Sequence, residues 1–428
     1  MTMLRSRVTA WLGRAYLARA QKKGLDLAKM RLIPNAALVP LRRNGLDPIA
    51  ELGRRRSTAP ISKLPLPLPG RSVWLVTGHP EAKTVLGRTS GLSNDFTNLI
   101  GTAGVQADEN PGGLGFADPP VHTRLRKVLT PEFTMRRLAR LTPRIDAIIA
   151  EQLDAMAAAE GPVDLWTSFA LPIPSLTICE LLGVPYSERA EFQRLSTTRF
   201  DLFGGAGASL GAMTESLGYL RETVARQRKS PGDGLLGMLI REHGDEIDDE
   251  ELAGLADGVL TGGLETTASM LALGALLLME NPAAREQVTT GAEPVNRFVE
   301  EILRYLTVVQ VAFPRFATED MEIEGVQVST GDILLVSLSA ANRDPGLGDD
   351  DTDMETFDPT RKASSHLAFG YGFHRCIGAE LARMELRAAY PALISRFPQI
   401  RLAVGADELS YRQTSIVYGV DALPVTLA

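Results

Sequence analysis

The residues best equipped for chemistry lie in the run from Phe369 to Gly378, FGYGFHRCIG, where one of only two cysteines sits among three glycines. Cys376 precedes a predicted helix. Free backbone N–H groups and the dipole at such a start favour negative charge, so the sulfur is expected to be available as thiolate. Three roles fit these residues: a nucleophile with His374 as its base, an ordinary buried thiol, or a metal ligand. Gly370, Gly372 and Gly378 let the backbone bend and approach closely, which suits a flat, bulky ligand lying on the loop. A nucleophile needs no such clearance.

Other chemistry-bearing residues are more ambiguous when taken alone. Thr261 to Thr267, TGGLETT, falls inside a long helical pattern; Gly262 and Gly263 followed by Glu265 and Thr266 also describe a kink with a solvated acid. Glu301 and Arg304 stand at i and i+3 on one helix, the spacing of a surface ion pair. His122 and Arg126, in HTRLR, share one helical face, while Arg124 and Lys127 fall on the other. That pattern equally describes an exposed basic face. Cys179, in the apolar LTICELLG, reads as core.

The elements that must position these groups are mostly helical. Ser72–Thr77 reads as a strand and 80–87 as a helix, with further helices near 119–129, 139–158, 164–183, 187–200, 208–228 and 234–243. Asp248 to Asn281 forms one long pattern, acidic at its start and stopped by Asn281-Pro282; it would run about 50 Å at 1.5 Å per residue. A helix near 293–306 follows, then strand-like stretches at 321–328 and 332–339, an irregular segment, and a helix from 377 to 397. Pro60 to Pro69, PISKLPLPLP, reads as a bend where the main body begins. The Gly-, Asn- and Asp-rich stretch 93–115 and the GGAG run at 204–207 read as a functional loop and a mobile lid connection.

Composition sets outer bounds. Hydrophobic content of 44%, 23% charged residues and a net charge of −7 describe a folded globular chain with no general attraction to nucleic acid. Two distant cysteines make no disulfide framework, and a reducing cytoplasm is expected. Residues 1–31 carry eight Lys or Arg against one acid. Leu4, Val8, Trp11, Leu12 and Ala15 there form a narrow apolar stripe suited to resting on the body or on an anionic membrane surface. No apolar run is expected to span a bilayer.

The pattern F-G-x-G-x-H-x-C-x-G resembles the proximal haem-binding signature of the cytochrome P450 superfamily, matched at every fixed position from Phe369 to Gly378. The resemblance runs from about residue 60 to the C-terminus. It implies a mainly α cytochrome P450 fold, a helical domain with a small β subdomain over 60–428, preceded by a basic N-terminal extension over 1–59. It also implies haem b, iron protoporphyrin IX, with Cys376 as the axial iron ligand, Phe369 near the sulfur, and His374 at a propionate. In the same family pattern Gly262 and Gly263 open a groove for dioxygen, and Glu265 and Thr266 form the acid–alcohol pair that relays protons. Gly262 stands where alanine is more frequent, and Leu264 where a polar residue is. Glu301 and Arg304 match the family's E-x-x-R element, with Arg361 as third member. His122, Arg126 and Arg315 match its propionate-binding residues.

The resemblance implies a monooxygenase that inserts one atom of dioxygen into a small hydrophobic substrate of lipid, steroid or terpenoid type. Thr261, Val308, Val309, Val311, Ala312, Phe313, Ile416 and Val417 would line its pocket. Electrons are expected from a separate ferredoxin and ferredoxin reductase, docking near Arg124, Lys127 and Arg375. Rival readings are a peroxide-driven peroxygenase, a non-catalytic haem-binding sensor and, more distantly, a colourless Cys–His hydrolase.

Overall fold

The computed structural model describes residues 35–66, 70–95, 113–190, 206–349 and 352–427, excluding the side chains of Tyr186 and of 206–214. Most of the stretch 93–115, residues 191–200 of the run 187–200, Gly204 and Gly205, and the basic residues 1–31 lie outside these.

In chain order, helix α1 (Ala50–Thr58) and strands β1 (Ile61–Leu64) and β2 (Val73–Val76) lead to α2 (His79–Gly87) and β3 (Leu92–Ser93). A helical series follows: α3 (Val121–Leu129), α4 (Thr142–Ala157), α5 (Pro172–Leu182), α6 (Ala206–Lys229), α7 (Leu235–His243), α8 (Asp249–Glu280), α9 (Pro282–Thr289) and α10 (Ala292–Leu306). Then come β4 (Arg315–Ala317), β5 (Met321–Ile323), β6 (Val326–Val328), β7 (Ile333–Val336) and α11 (Ala379–Arg396). The main sheet is five-stranded in the order β1-β2-β7-β4-β3. Within it β2 and β7 run parallel, Val73 opposite Ile333, and the other pairs antiparallel. The fold is therefore mainly α with a small β region.

The central helix α8 forms as its sequence leads one to expect. Asp248 caps it, accepting from the Glu251 amide at 2.8 Å, and three acids occupy its first turn. Asn281 ends it and then caps α9, accepting from the Ala284 amide at 3.0 Å. By length and composition α8 is able to cross a membrane, contrary to the expectation of no such run, but 72% of its apolar window is buried within the protein. It is a core helix. Against it lies α11, and the contact is made possible by Gly274: a Cβ there would sit 2.6 Å from Tyr390 Cζ. Tyr390 in turn donates to the Met270 carbonyl at 2.6 Å, locking the helix that follows the cysteine loop onto the central helix.

Three local expectations are corrected. The stretch read as a proline bend contains β1, because Ile61 and Leu64 are buried while Pro60 and Pro65 flank an edge strand, where a lost N–H is tolerated. Residues 321–328 are a hairpin and not a single strand. Glu324 (φ 48°) and Gly325 (φ 77°) adopt the left-handed conformations that a tight two-residue turn requires. Strand β7 stops at Val336, where Ser337 caps a short helix, Leu338–Ala341.

Residues 35–59, expected within a separate extension, are packed into the body. Leu52 is 1% exposed, and Arg43 is buried with its Nε donating to Gln310 Oε1 at 2.8 Å and an Nη to the Thr307 carbonyl at 2.9 Å. A buried guanidinium demands such partners, and they come from the far end of the chain.

Candidate functional site

Cys376 stands three residues before α11, in a loop held from several sides. Its amide donates to the Phe369 carbonyl at 2.8 Å, closing the loop on itself. Gly372 has φ 74°, and a Cβ there would invade the Leu86 carbonyl and come within 2.9 Å of Gly87 Cα, both backbone of α2. Replacing Gly372 by alanine is therefore expected to cost about 2–4 kcal/mol, from left-handed strain and overpacking together. Thermal unfolding of the variant checks this, and an unchanged midpoint would refute the close approach.

Below the loop are two neighbouring acids of α10 that point to different partners. Glu301 and Arg304 are each about 1% exposed and form a bidentate pair, with both contacts at 2.7 Å. Arg304 also donates to the carbonyls of Asn342, Met354 and Thr356, and Arg361 reaches Glu301 at 3.2 Å. The expected third member of the cluster is thus in contact. Glu300 holds a second cluster that sequence reasoning missed. It accepts from Arg383 of α11 at 2.6 and 2.8 Å and lies 3.1 Å from His366 Nε2. Burial would raise the Glu300 carboxyl, but Arg383 and His366 hold it down at about 2. Arg383 also stacks over the Phe369 ring, 4.7 Å from its centroid. Two adjacent acids therefore brace the two ends of the cysteine loop.

The sulfur opens onto solvent-accessible space, yet protein surrounds it closely enough that burial dominates its chemistry. Burial raises the thiol pKa, opposed by the Gly378 amide and by Arg126, Arg375 and Arg383. Desolvation thus works against the ready thiolate expected from the helix start.

Beside the loop the structure assembles a cationic cluster from three distant segments. The rings of His122 and His374 are 4.2 Å apart; Arg126 acts on both imidazoles and Arg315 on His374. Burial, His122, Arg315 and Arg126 together push the His374 pKa down to about 3, and burial lowers Arg315 to about 10. Both ring nitrogens of His122, and Nε2 of His374, are buried without any hydrogen-bond partner. Asp118 is the acid whose charge supports Arg315. Such a cluster is built to receive an anion. On the other face of α3, Lys127 is exposed, but Arg124 is bonded to Glu251 of α8 and so is not the free cation expected.

In the middle of α8, where most side chains are buried, Gly262 is exposed and nothing lies within 4 Å of where its Cβ would be. Space opens beside the helix there. Gly263 instead faces Ile178 of α5, with 3.0 Å to a built Cβ. Thr266 Oγ1 donates to the Gly262 carbonyl at 2.7 Å, and the buried Thr261 hydroxyl has no partner. Glu265 is largely buried and bonded to Arg412 at 3.2 Å, a residue no motif signalled. Burial raises its pKa to about 7 even though Arg412 lowers it.

Of the residues expected to line a pocket, Val309 and Val417 are joined by a single bridge, and Val311 bridges to Ser337. Gln310, also missed from sequence, is fully buried and fixes this junction by donating to the Leu41 and Ser415 carbonyls and accepting from Arg43. Phe313 and Ile416 are 47% and 54% exposed, whereas Val308 belongs to the main core. Val309, Val311, Ala312 and Val417 are half-buried. Phe313 packs edge-on against Phe116 at 4.5 Å.

Comparison with known proteins agrees with this arrangement. The family model described as Cytochrome P450 matches residues 210–295 and 292–417. "Cytochrome P450 165C4" of Amycolatopsis orientalis is 42% identical over 357 residues, covering 83% of this chain and 86% of the relative. The 6-deoxyerythronolide B hydroxylase of Saccharopolyspora erythraea is 36% identical, covering 87% and 94%. The crystal structure of OxyC, a cytochrome P450 implicated in an oxidative C–C coupling reaction during vancomycin biosynthesis, superposes with a TM-score of 0.81 at 39% identity, covering 90% of this chain and 95% of that one. With such identity sustained over most of its length, the chain belongs to the cytochrome P450 family, as a monooxygenase of the bacterial type whose cofactor is haem b.

Proposed function

We propose that this protein inserts one oxygen atom from dioxygen into a hydrophobic substrate, with Cys376 as the axial ligand of its haem and electrons arriving from a separate ferredoxin and ferredoxin reductase. The observation that carries the assignment is the set of orphaned imidazole nitrogens on His122 and His374, grouped with Arg126 and Arg315 beside the cysteine loop. Four cationic or hydrogen-bonding groups fit the two propionates of haem b. Phe369 and Gly378 shape the loop around the sulfur, and Gly262 leaves space open beside the central helix, while Gly263 packs on Ile178.

Bound haem supplies the cleavage of dioxygen: one atom enters the substrate, the other leaves as water, and two electrons and two protons are consumed. The chain's own residues bring the protons. Thr266 Oγ1 spends its hydrogen on the Gly262 carbonyl and so presents its lone pairs to a water molecule. Glu265 next to it, with a pKa near neutrality, can both take a proton from solvent and release it. Such a relay favours dioxygen over hydrogen peroxide as the oxidant.

The pocket side is lined by Val309, Val311, Ala312, Phe313, Ile416 and Val417, with Thr261 as a rare polar group. This favours a bulky apolar substrate of lipid, steroid or terpenoid type, oriented by few hydrogen bonds. A relative named as a vitamin D3 dihydroxylase, 37% identical over 362 residues, agrees in kind. An acidic ferredoxin would meet the exposed Lys127 and Arg375; Arg124 is engaged by Glu251.

Haem-spectral titration with a library of steroids, terpenoids, macrolides and small polar compounds tests the substrate class. Apolar compounds are expected to shift the ferric spectrum at micromolar concentration; binding confined to small polar compounds would overturn the proposal. Turnover with ferredoxin and reductase, compared with peroxide alone, tests the electron source.

A further inference from the structure

We propose that Arg412 is a positioning residue of the proton relay, holding the Glu265 carboxylate and tying it to the hairpin that enters the substrate space. The inference rests on the reading of Glu265 as a relay acid. Arg412 belongs to the C-terminal hairpin that includes the Tyr411–Val420 bridge, and its amide donates to the Gly419 carbonyl at 2.9 Å. Its Nη1 reaches Glu265 Oε1 at 3.2 Å and its Nε reaches Asp421 Oδ1 at 3.2 Å. The guanidinium carbon also sits over Trp166, 4.2 Å from the ring centroid. An arginine engaged on three sides has little freedom, so the acid it holds is placed with it.

The same hairpin carries Ile416, 54% exposed, and Val417, which bridges to Val309. It is packed directly on α8: a Cβ on Gly419 would stand 2.6 Å from Ser269 Oγ. A ligand pressing on Ile416 therefore moves a strand that cannot shift without moving Arg412 relative to Glu265. Substrate occupancy and acid position are mechanically linked through one short loop.

Electrostatics point the same way. Arg412 is the charged group that acts on Glu265, and Asp421 faces Arg412 from behind, moderating its charge. Without the guanidinium, burial acts on Glu265 unopposed. Its pKa then rises above about 7, and the neutral carboxyl is favoured further.

The experiment uses the haem-loaded full chain with Arg412→Ala, Arg412→Gln and Arg412→Lys. Infrared titration of the neutral carboxyl band, assigned by its loss in Glu265→Gln, is expected to shift upward by about one pH unit or more in the Ala and Gln variants. Lysine, which keeps the charge, should restore it. Reductase- and ferredoxin-driven oxygen consumption without added substrate should show the same displacement of its pH inflection. An unmoved Glu265 band in both neutral variants would overturn the proposal, even if the rate fell. If Glu265→Gln left oxygen turnover and its pH profile intact, the relay reading would fall instead, and the infrared shift would still decide whether Arg412 places this acid. Should Arg412→Ala fail to fold, Arg412→Gln carries the test.

Discussion

Cys376→Ser protein folds, but its reduced, carbon-monoxide-treated form lacks the far-red-shifted Soret band of thiolate coordination, and its monooxygenase turnover falls to background. As the proposed axial ligand, the sulfur would give the iron electron density that an alcohol oxygen does not, the donation that favours O–O cleavage. It contributes little packing: the residue is exposed, and even a Cβ built on Gly378 would meet the sulfur only at an ordinary 3.9 Å. The haem-free variant should therefore unfold within a few degrees of the parent, since substitutions away from core packing change stability by about 0.5 kcal/mol or less. In the haem-free parent the raised thiol pKa predicts slow alkylation at neutral pH, accelerating as the pH climbs. A serine variant that retained the shifted band would remove Cys376 from the iron.

The second large effect is structural. Arg304→Ala should destabilise the protein by about 3–5 kcal/mol, because it strands Glu301 as an uncompensated buried charge and leaves three loop carbonyls without their donor. Native stability is typically about 5–15 kcal/mol, so roughly a fifth or more would be lost. Glu301→Ala should be comparably severe, since Arg304, Arg361 and the Asp358 amide all converge on that carboxylate. The carbonyls bound by Arg304 belong to the segment leading into the cysteine loop, so haem content should fall before the helical signal does. Denaturant unfolding followed by circular dichroism and by haem absorbance separates the two. A loss below about 1 kcal/mol in either variant would mean that the cluster behaves like a surface pair.

These expectations differ in how far the sequence anticipated them. Glu301 and Arg304 were visible as an i, i+3 pair, but the same spacing occurs on any solvated helix. Burial at 1% exposure, and the three carbonyls and the arginine gathered around the pair, turn a minor contact into a brace. Glu300, one residue earlier, carried no signal because its partners, His366 and Arg383, stand 66 and 83 residues away. The hairpin at 324–325 was missed for a different reason: alternating residues read as one strand unless the positive-φ pair Glu324 and Gly325 is recognised as a turn.

What the sequence determined by itself was whatever depends on neighbours within a turn or two of helix. The caps at Asp248 and Asn281, the shared face of His122 and Arg126, the glycine-bent loop around Cys376 and the mainly helical class all arise from local geometry. The tertiary structure alone decided which groups became partners across long stretches of chain. Arg43 was brought to Gln310 across 267 positions and Arg412 to Glu265 across 147, and the protein gathered around Cys376 raises its thiol pKa by desolvation. Desolvation is the physical reason: the same ionisable side chain is unremarkable in water and consequential once packing removes water and supplies a specific partner, and neither event is written in the few residues on either side of it.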